Sequence, residues 1–506
     1  MKDITPNDLG LNELKEWIVN VHEKDYIELK KGSELPKSFW DSYSSFCNTS
    51  GGWIILGVEE GYPKNIITGV GNPQKTLTSL WDQASNTSKV SFRNIVNQDV
   101  HEYNIDGKAV IIIRVKEVAD TQKPVYLDDK IEKAYIRTGD GDRKITKEEL
   151  EIFLRNAQPG QDILPAENYT LEDLDMDSLI SFKEKVGKRY PGKKYTGMEY
   201  LQFLTEIGAC VKDRETGTIK LKRGTILFLG KVNAIKELFP HYHVDYFNHR
   251  GDNPRWSDRV TDDEPSDYEM NLYNFYSIVY EKMKALLSNS FKLDDTQTRL
   301  PISDFDETIR ECIVNCLAHA DYVQGYPSTK IDAYDGWFRF INPGKMLVSK
   351  EQFITGGDSR PRNEIIMSMF RLLGASERQG FGGPMIYKSA AQNDFRMPEV
   401  TTDINHTELK IWNIDLADAY PELADNEKRI LQVLTKSNMP ISIRGMGKQL
   451  NLSEYAARKS ISRLEQENLV QKIGTGPATK YTIKRDSTYI VTQLQMIMDQ
   501  VKQNLL

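Results

Sequence analysis

Four sets of side chains in these 506 residues have types and spacing suited to chemistry. Near the C terminus, Tyr455, Arg458, Lys459, Ser462 and Arg463 recur at helical spacing, with Ala457, Ile461 and Leu464 turned to the opposite face. Guanidinium, ammonium and hydroxyl groups on one helical face suit phosphate oxygens and guanine edges. In the middle of the chain, Glu311 and Asn315 stand four apart, on one face of a helix. Further on, Gly380, Gly382 and Gly383 lack the Cβ that keeps a phosphate from backbone N–H groups, although plain turns need glycine too. Near the N terminus, Glu23, Glu28, Glu59 and Glu60 bracket two apolar runs. The fourth set, His241, His243, Asp245 and His249, alternates as zinc ligands on a strand can. No Cys stands with it, so a surface strand is the expected reading.

The elements that must position these groups are legible around them. Tyr26-Ile27-Glu28-Leu29-Lys30 alternates apolar and charged like a half-buried strand, which puts Glu28 and Lys30 on one face. Phe39, Trp40, Tyr43, Phe46 and Cys47 make one face of a helix that Gly51-Gly52 stop. Trp53 to Val58 then predicts a buried strand, with Glu59 and Glu60 where the chain leaves the core. Thr146-Lys147-Glu148-Glu149 is a capping box opening the last helix of this module, residues 1–157. Residues 158–175 read as a linker. Two helices (176–188 and 197–207), a strand at Gly224–Leu229 and a helix near 268–287 are expected next. An α/β region then runs to about residue 420. Residues 426–485 read as three helices and a hairpin, a winged helix-turn-helix with its third helix suited to a major groove. In the tail, 486–506, Ile490, Leu494, Ile497, Val501 and Leu505 form one helical stripe that must be buried somewhere, a partner chain being one option. The predicted class is therefore multidomain, α/β and α+β.

Charge separates these parts. The chain carries 66 Lys and Arg against 73 Asp and Glu, a net charge of −7. Residues 426–485 alone hold twelve Lys and Arg against four Glu, a balance of +8 that favours a polyanion as partner. A hydrophobic share of 39% with 27% charged residues is globular composition and excludes wholesale disorder. No apolar run reaches the roughly 18 residues of a membrane span, and Met1 to Pro6 has no signal-peptide core. Cys47, Cys210, Cys312 and Cys316 form no C-x-x-C pair. A cytoplasmic protein is expected. No G-x-x-x-x-G-K-[ST] is present, which excludes a P-loop helicase motor.

Two stretches resemble known families. Glu23 to Lys30, Phe46-Cys47-Asn48-Thr49-Ser50-Gly51-Gly52, Gly57-Val58-Glu59-Glu60 and Ala134-Tyr135-Ile136-Arg137-Thr138-Gly139 resemble, in order, the motifs of the Schlafen-type AlbA_2 domain. The resemblance implies nucleic-acid binding, usually of RNA, with Lys30 and Arg137 as contacts. In some members it also implies an endoribonuclease with three acids, which map onto Glu23, Glu28 and Glu60. Nuclease members carry Asp at the last position. Such acids hold Mg²⁺ or Mn²⁺ to activate water and stabilise the leaving oxygen.

Glu311 to Tyr322, Asn342-Pro343-Gly344, Ser359-Arg360-Pro361-Arg362-Asn363 and Glu377 to Gly383 resemble the GHKL-type ATPase-like domain of bacterial RecG-related proteins and transcriptional regulators. The family usually reads H-R-D-Y where this chain has His319-Ala320-Asp321-Tyr322. It also carries a D-x-G-x-G segment that is absent here, with Asn342-Pro343-Gly344 near its place. The resemblance extends more loosely over residues 176–420. It implies ATP binding, with Glu311 as water activator, Asn315 as Mg²⁺ ligand and Gly380, Gly382 and Gly383 at the phosphates.

The expectation is a nucleic-acid-binding protein. It would be a DNA-binding transcriptional regulator with an ATPase-like sensor, contacting DNA through the winged helix and RNA or DNA through the AlbA_2 module. The alternative is a metal-dependent endoribonuclease cutting tRNA or rRNA in stress or phage defence. A homo-oligomer without membrane contact is expected in either case.

Overall fold

The computed structural model describes residues 9–32, 34–158, 160–251, 255–288, 302–357, 360–376, 380–437 and 439–505. Of the residues quoted above, Met1 to Pro6, Ser359, Glu377, Arg378, Gln379 and the side chain of Leu505 lie outside this set. The chain divides into two compact units, Met1–Pro159 and Gly160–Leu506. Among the described residues, no helix is long and apolar enough to cross a membrane.

The N-terminal unit is a four-stranded sheet between two layers. Helix α1 (Leu11–Asn20) precedes β1 (Ile27–Lys30), α2 (Phe39–Asn48), β2 (Gly52–Leu56), β3 (Val100–Ile105) and β4 (Lys108–Val115). The strand order is β1-β2-β4-β3, with β1 parallel to β2 and the other pairs antiparallel. Alternate residues serve the two faces. Ile54, Leu56, Ile111 and Ile113 pack with Phe39, Tyr43 and Phe46 of α2, while Ile27, Leu29, Ile55 and Ile112 pack with Leu14 and Ile18 of α1. Coverage on both faces is why the strands read as nearly unbroken apolar runs. It also buries Glu28, which the sequence places on a half-exposed strand. Gly57, at φ +90°, ends β2 and turns the chain toward Glu59 and Glu60. Strand β5 (Lys130–Thr138) lies against α2. Helix α3 (Lys147–Asn156) closes the unit with the expected capping box, Thr146 and Glu149 bonding each other's backbone N–H.

In the second unit the stretch expected as a linker is packed instead. Asp162, Ala166 and Leu174 are buried. The Asp162 carboxylate accepts from Ile365 N (2.6 Å) and Ile366 N (3.2 Å), capping a helix two hundred residues away in sequence. Helix α4 (Met176–Arg189) and a shorter helix, Tyr200–Glu206, follow as expected. Gly224–Leu229, expected as a strand, belongs to helix α5 (Arg223–Leu229), and each of those six residues is buried. A short run that is apolar all round cannot distinguish a buried strand from a buried helix.

The core of this unit lies between helices and a six-stranded sheet. Its elements are β6 (Val244–Asn248), β7 (Asp258–Thr261), α6 (Leu272–Ser288), α7 (Ile302–Ala318), β8 (Thr329–Tyr334), β9 (Trp337–Pro343), α8 (Lys350–Thr355), α9 (Glu364–Leu373), α10 (Gly382–Gln392), β10 (Glu399–Thr402) and β11 (His406–Trp412). The strands run in the order β7-β6-β8-β9-β11-β10, and β6 and β8 are the parallel pair. Tyr246, Ile331, Phe338, Phe340, Leu409 and Ile411 face the helices. Beyond them stand α11 (Asp425–Lys436), α12 (Ile443–Leu450) and α13 (Glu454–Gln466), then the hairpin β12 (Val470–Ile473) and β13 (Lys480–Ile483), around a separate apolar cluster. Helix α14 (Ser487–Leu505) ends the chain.

Candidate functional sites

Of the three N-terminal acids, Glu23 neighbours both of the others. Glu60 Oε1 accepts from Glu23 N (3.2 Å), and Glu23 Oε1 accepts from Leu29 N (3.0 Å), next to Glu28. Burial, followed by the charges of Glu28 and Glu60, raises the Glu23 carboxyl above its ordinary pKa.

Glu28 itself is committed elsewhere. One of its oxygens takes the Lys30 ammonium and the other lies 2.6 Å from Arg137 Nη1. Arg137 is buried to 1% side-chain exposure. Its Nη1 also meets Asp142 (2.9 Å), Nε and Nη2 donate to Lys24 O, and Nη2 donates to Ile27 O (3.1 Å). Its guanidinium carbon lies 5.2 Å from the Phe46 ring centre. Four hydrogen bonds and the Glu28 ion pair thus hold this guanidinium. Lys30 and Arg137, expected as nucleic-acid contacts, are thus ion-paired inside the unit. Arg137 ties β5 to β1, a role that no local pattern around residue 137 announces.

The acids as placed do not fit a shared hard cation. Among the described residues, the group whose ligand atoms all lie within 4.8 Å of one another is His243, Asp262 and Asp263. The N-terminal acids do not form such a group, and both oxygens of Glu28 face cations. The histidine group does not read as a metal centre either. His243 stands 2.8 Å from both Asp245 and Asp262, whose hydrogen bonds raise its pKa to about 10. A protonated imidazole is a donor at both nitrogens and has no lone pair for a metal. Lys236 and Arg259 close the network at 2.8 Å each. His249 pairs separately with Asp332 (2.9 Å), so the alternating residues do not converge.

The second site is a cleft with a cavity volume of about 120 Å³. Glu311 and Asn315 reach it from successive turns of α7 and His319 from just past its end, and Asn315 Nδ2 donates to Glu311 Oε1 (3.2 Å). Phe340, Asn342, Thr407 and Leu409 line it from β9 and β11. Gly380, Gly382 and Gly383 form the rim at the start of α10. A Cβ on Gly382 would stand 2.1 Å from Glu311 Oε1, and one on Gly383 would stand 1.8 Å from Phe353 O. Gly380 holds φ +82°. The backbone comes this close to Glu311 because these residues lack side chains. Gly382 and Gly383 lie in the first turn of α10, where N–H groups have no partner within the helix.

Lys345, Arg360 and Arg371 also line the cleft, three cations to the one acid Glu311. His319 adds no charge, because burial, then Arg362, lowers its pKa to about 4. Lys345 and Arg371 escape sequence reasoning, since no spacing links them to Glu311. This donor set and its charge fit a polyphosphate with a small apolar body.

The third site is the outer face of α13. Tyr455, Arg458, Lys459, Ser462 and Arg463 are exposed, while Ala457, Ile461 and Leu464 are buried as their spacing predicts. Ser453 caps the helix through Ala456 N (3.1 Å). Arg463 pairs with Glu467 at 2.6 Å, in solvent.

Residues 23–146 match the family model described as "Schlafen, AlbA_2". Residues 328–411 match "Putative ATP-dependent DNA helicase recG C-terminal". The chain therefore carries a Schlafen AlbA_2 domain and a RecG C-terminal, HATPase-type domain. Residues 151–245 match a domain of unknown function (DUF8451), which overlaps the stretch expected to extend the ATPase-like domain.

No curated protein matches the chain. Among solved structures it is similar to the DIP2311 protein from Corynebacterium diphtheriae. That likeness is 13% identity over 94% of this chain and 99% of that one, with a TM-score of 0.37. It is also similar to the N-terminal domain of a putative ATP-dependent DNA helicase RecG-related protein from Nitrosomonas europaea. There the identity is 25% over 28% of this chain and 94% of that one, with a TM-score of 0.21.

Proposed function

We propose that this chain is a nucleic-acid-binding transcriptional regulator whose C-terminal module, read as a winged helix, binds duplex DNA. The observation that carries the reading is the exposed face of α13, which turns three cations and two hydroxyls to solvent over a fully buried apolar side. The balance of +8 over residues 426–485 supports it. The helicase-related name of the matched middle domain agrees in ligand class.

The cleft beside Glu311 is then a sensor for ATP or ADP. What supports this is the glycine rim at the start of α10 and the excess of cations over acids. Bound nucleotide would supply the polyphosphate and, with it, Mg²⁺. Asn315 and Glu311 are the residues to hold that metal and a water, and Gly382 and Gly383 those to meet the phosphates.

Cleavage of RNA by Glu23, Glu28 and Glu60 is the second reading, supported by the AlbA_2 match and the contact of Glu23 with Glu60. The ion pairs of Glu28 with Lys30 and Arg137 favour the regulator. One experiment separates the two. Fluorescence anisotropy of labelled duplex DNA and of tRNA is recorded with and without ATP and Mg²⁺, and the same tRNA is run on a gel after incubation with Mn²⁺. Duplex binding that shifts with nucleotide, with intact tRNA, is the expected result. Cut tRNA and no duplex binding would replace the regulator with the nuclease.

A further inference from the structure

Helix α14 is amphipathic in the reverse sense for a surface helix. Its more polar side is the one that touches the protein. Thr492 is buried, Gln495 Nε2 donates to Thr355 O at 2.8 Å, and the helix packs on α10 and α8. Its apolar side faces solvent. Ile490 is 51% exposed, Leu494 55%, Ile497 54%, Met498 57% and Val501 51%, with Val491 beside them. A helix left alone in water would turn these groups inward. Their exposure implies a cover.

We infer that the cover is α14 of a second copy of this chain, so that the protein is a dimer paired through its C-terminal helices. Three observations select this occupant. Residues 490, 494, 497 and 501 are spaced four, three and four, the heptad seam that fits another helix with the same repeat. The six exposed side chains offer on the order of 500 Å² of apolar surface, so two copies would bury ~1,000 Å², the threshold for a specific interface. The nineteen residues of α14 carry one Asp and one Lys. Two such faces meet without repulsion, whereas an anionic membrane surface or a nucleic acid would call for a basic helix.

A seam of about two heptads is too short to hold free helices together in water. Here the helix is already formed and seated on α8 and α10, so pairing does not bear the cost of folding it. Those two helices also border the Glu311 cleft, through Phe353 and the Gly382 turn. The pair would bring two copies of α13 into one assembly, and a DNA site with two half-sites requires two.

The test is analytical ultracentrifugation of the full chain from about 1 to 50 μM, for the wild type, Leu494→Lys/Ile497→Lys and Leu494→Ala/Ile497→Ala. Far-UV circular dichroism of each serves as the folding control. A wild-type dimer, a monomeric double-Lys variant with an unchanged spectrum, and a dimer Kd raised at least tenfold by the double-Ala variant support the pairing. The double-Ala variant decides if the double-Lys chain misfolds. A monomeric wild type at 50 μM would assign the stripe to another protein and overturn the inference. A dimer whose Kd is the same in the wild type and the double-Ala variant would overturn it equally, because the interface would then lie elsewhere.

Discussion

Glu28 is either a metal ligand or one half of a buried ion pair, and a pair of substitutions distinguishes the two. Arg137→Met removes a guanidinium of similar length. It leaves the Glu28 carboxylate, in a residue 6% exposed, with Lys30 as its remaining cation, and removes the side-chain donor from Lys24 O and Ile27 O, which keep each other's backbone N–H. Breaking one side of a buried pair costs about 3–5 kcal/mol, and the surviving Lys30 argues for the lower end. For a unit of this size each kcal/mol moves Tm by about 2–4 °C, so a drop on the order of 10 °C is expected in its calorimetric transition. Glu28→Gln should also destabilise, because it strands the positive charge of Arg137. The double variant should fall short of the sum by about 1–3 kcal/mol, since the two groups act on each other. The assay is scanning calorimetry of the full chain, with and without millimolar Mn²⁺. If Glu28→Gln leaves Tm unchanged without metal but abolishes a Mn²⁺-induced rise seen in the wild type, Glu28 is a ligand and the ion-pair argument is refuted.

Three further outcomes follow from the other sites. Gly382→Ala puts a methyl 2.1 Å from Glu311 Oε1. It should abolish nucleotide stabilisation, which in the wild type reaches ~2.7 kcal/mol at a hundred times Kd and is read as a thermal shift with ATP and Mg²⁺. Arg458→Gln/Arg463→Gln should lower the slope of log K against log salt on duplex DNA by about 1.8 if both reach phosphates. An unchanged slope and affinity would take α13 off the DNA, and folding should hold because Ala457, Ile461 and Leu464 carry the inner face. Burial raises the Asp162 pKa to about 6, against backbone donors at Glu364, Ile365 and Ile366 that lower it. A carboxyl raised in the folded state contributes stability below its unfolded pKa of 3.8 and loses it as pH climbs through about 6. Wild type should therefore lose on the order of 2 kcal/mol relative to Asp162→Asn between pH 4 and pH 6.5; a flat difference in denaturation free energy would contradict it.

What the amino-acid sequence determined by itself lies within a few residues of each element. The capping box at Thr146 and Glu149, the inward set Ala457, Ile461 and Leu464 with its cationic outer face, and the stripe on α14 are all present in the structure. Each depends on helical periodicity or on one local hydrogen bond, both of which neighbouring residues specify. Only the tertiary structure decided the rest. Gly224–Leu229 became a helix because elements on every side bury it, which an unbroken apolar run does not specify. Asp162, in a stretch that reads as a linker, became the cap of α9. Lys345 and Arg371 joined Glu311 in one cleft from separate elements. Glu28 and Arg137 met because β1 and β5 come together around Phe46. An alternating strand shows where a carboxylate sits, but which cation neutralises it depends on the packing of elements distant in sequence.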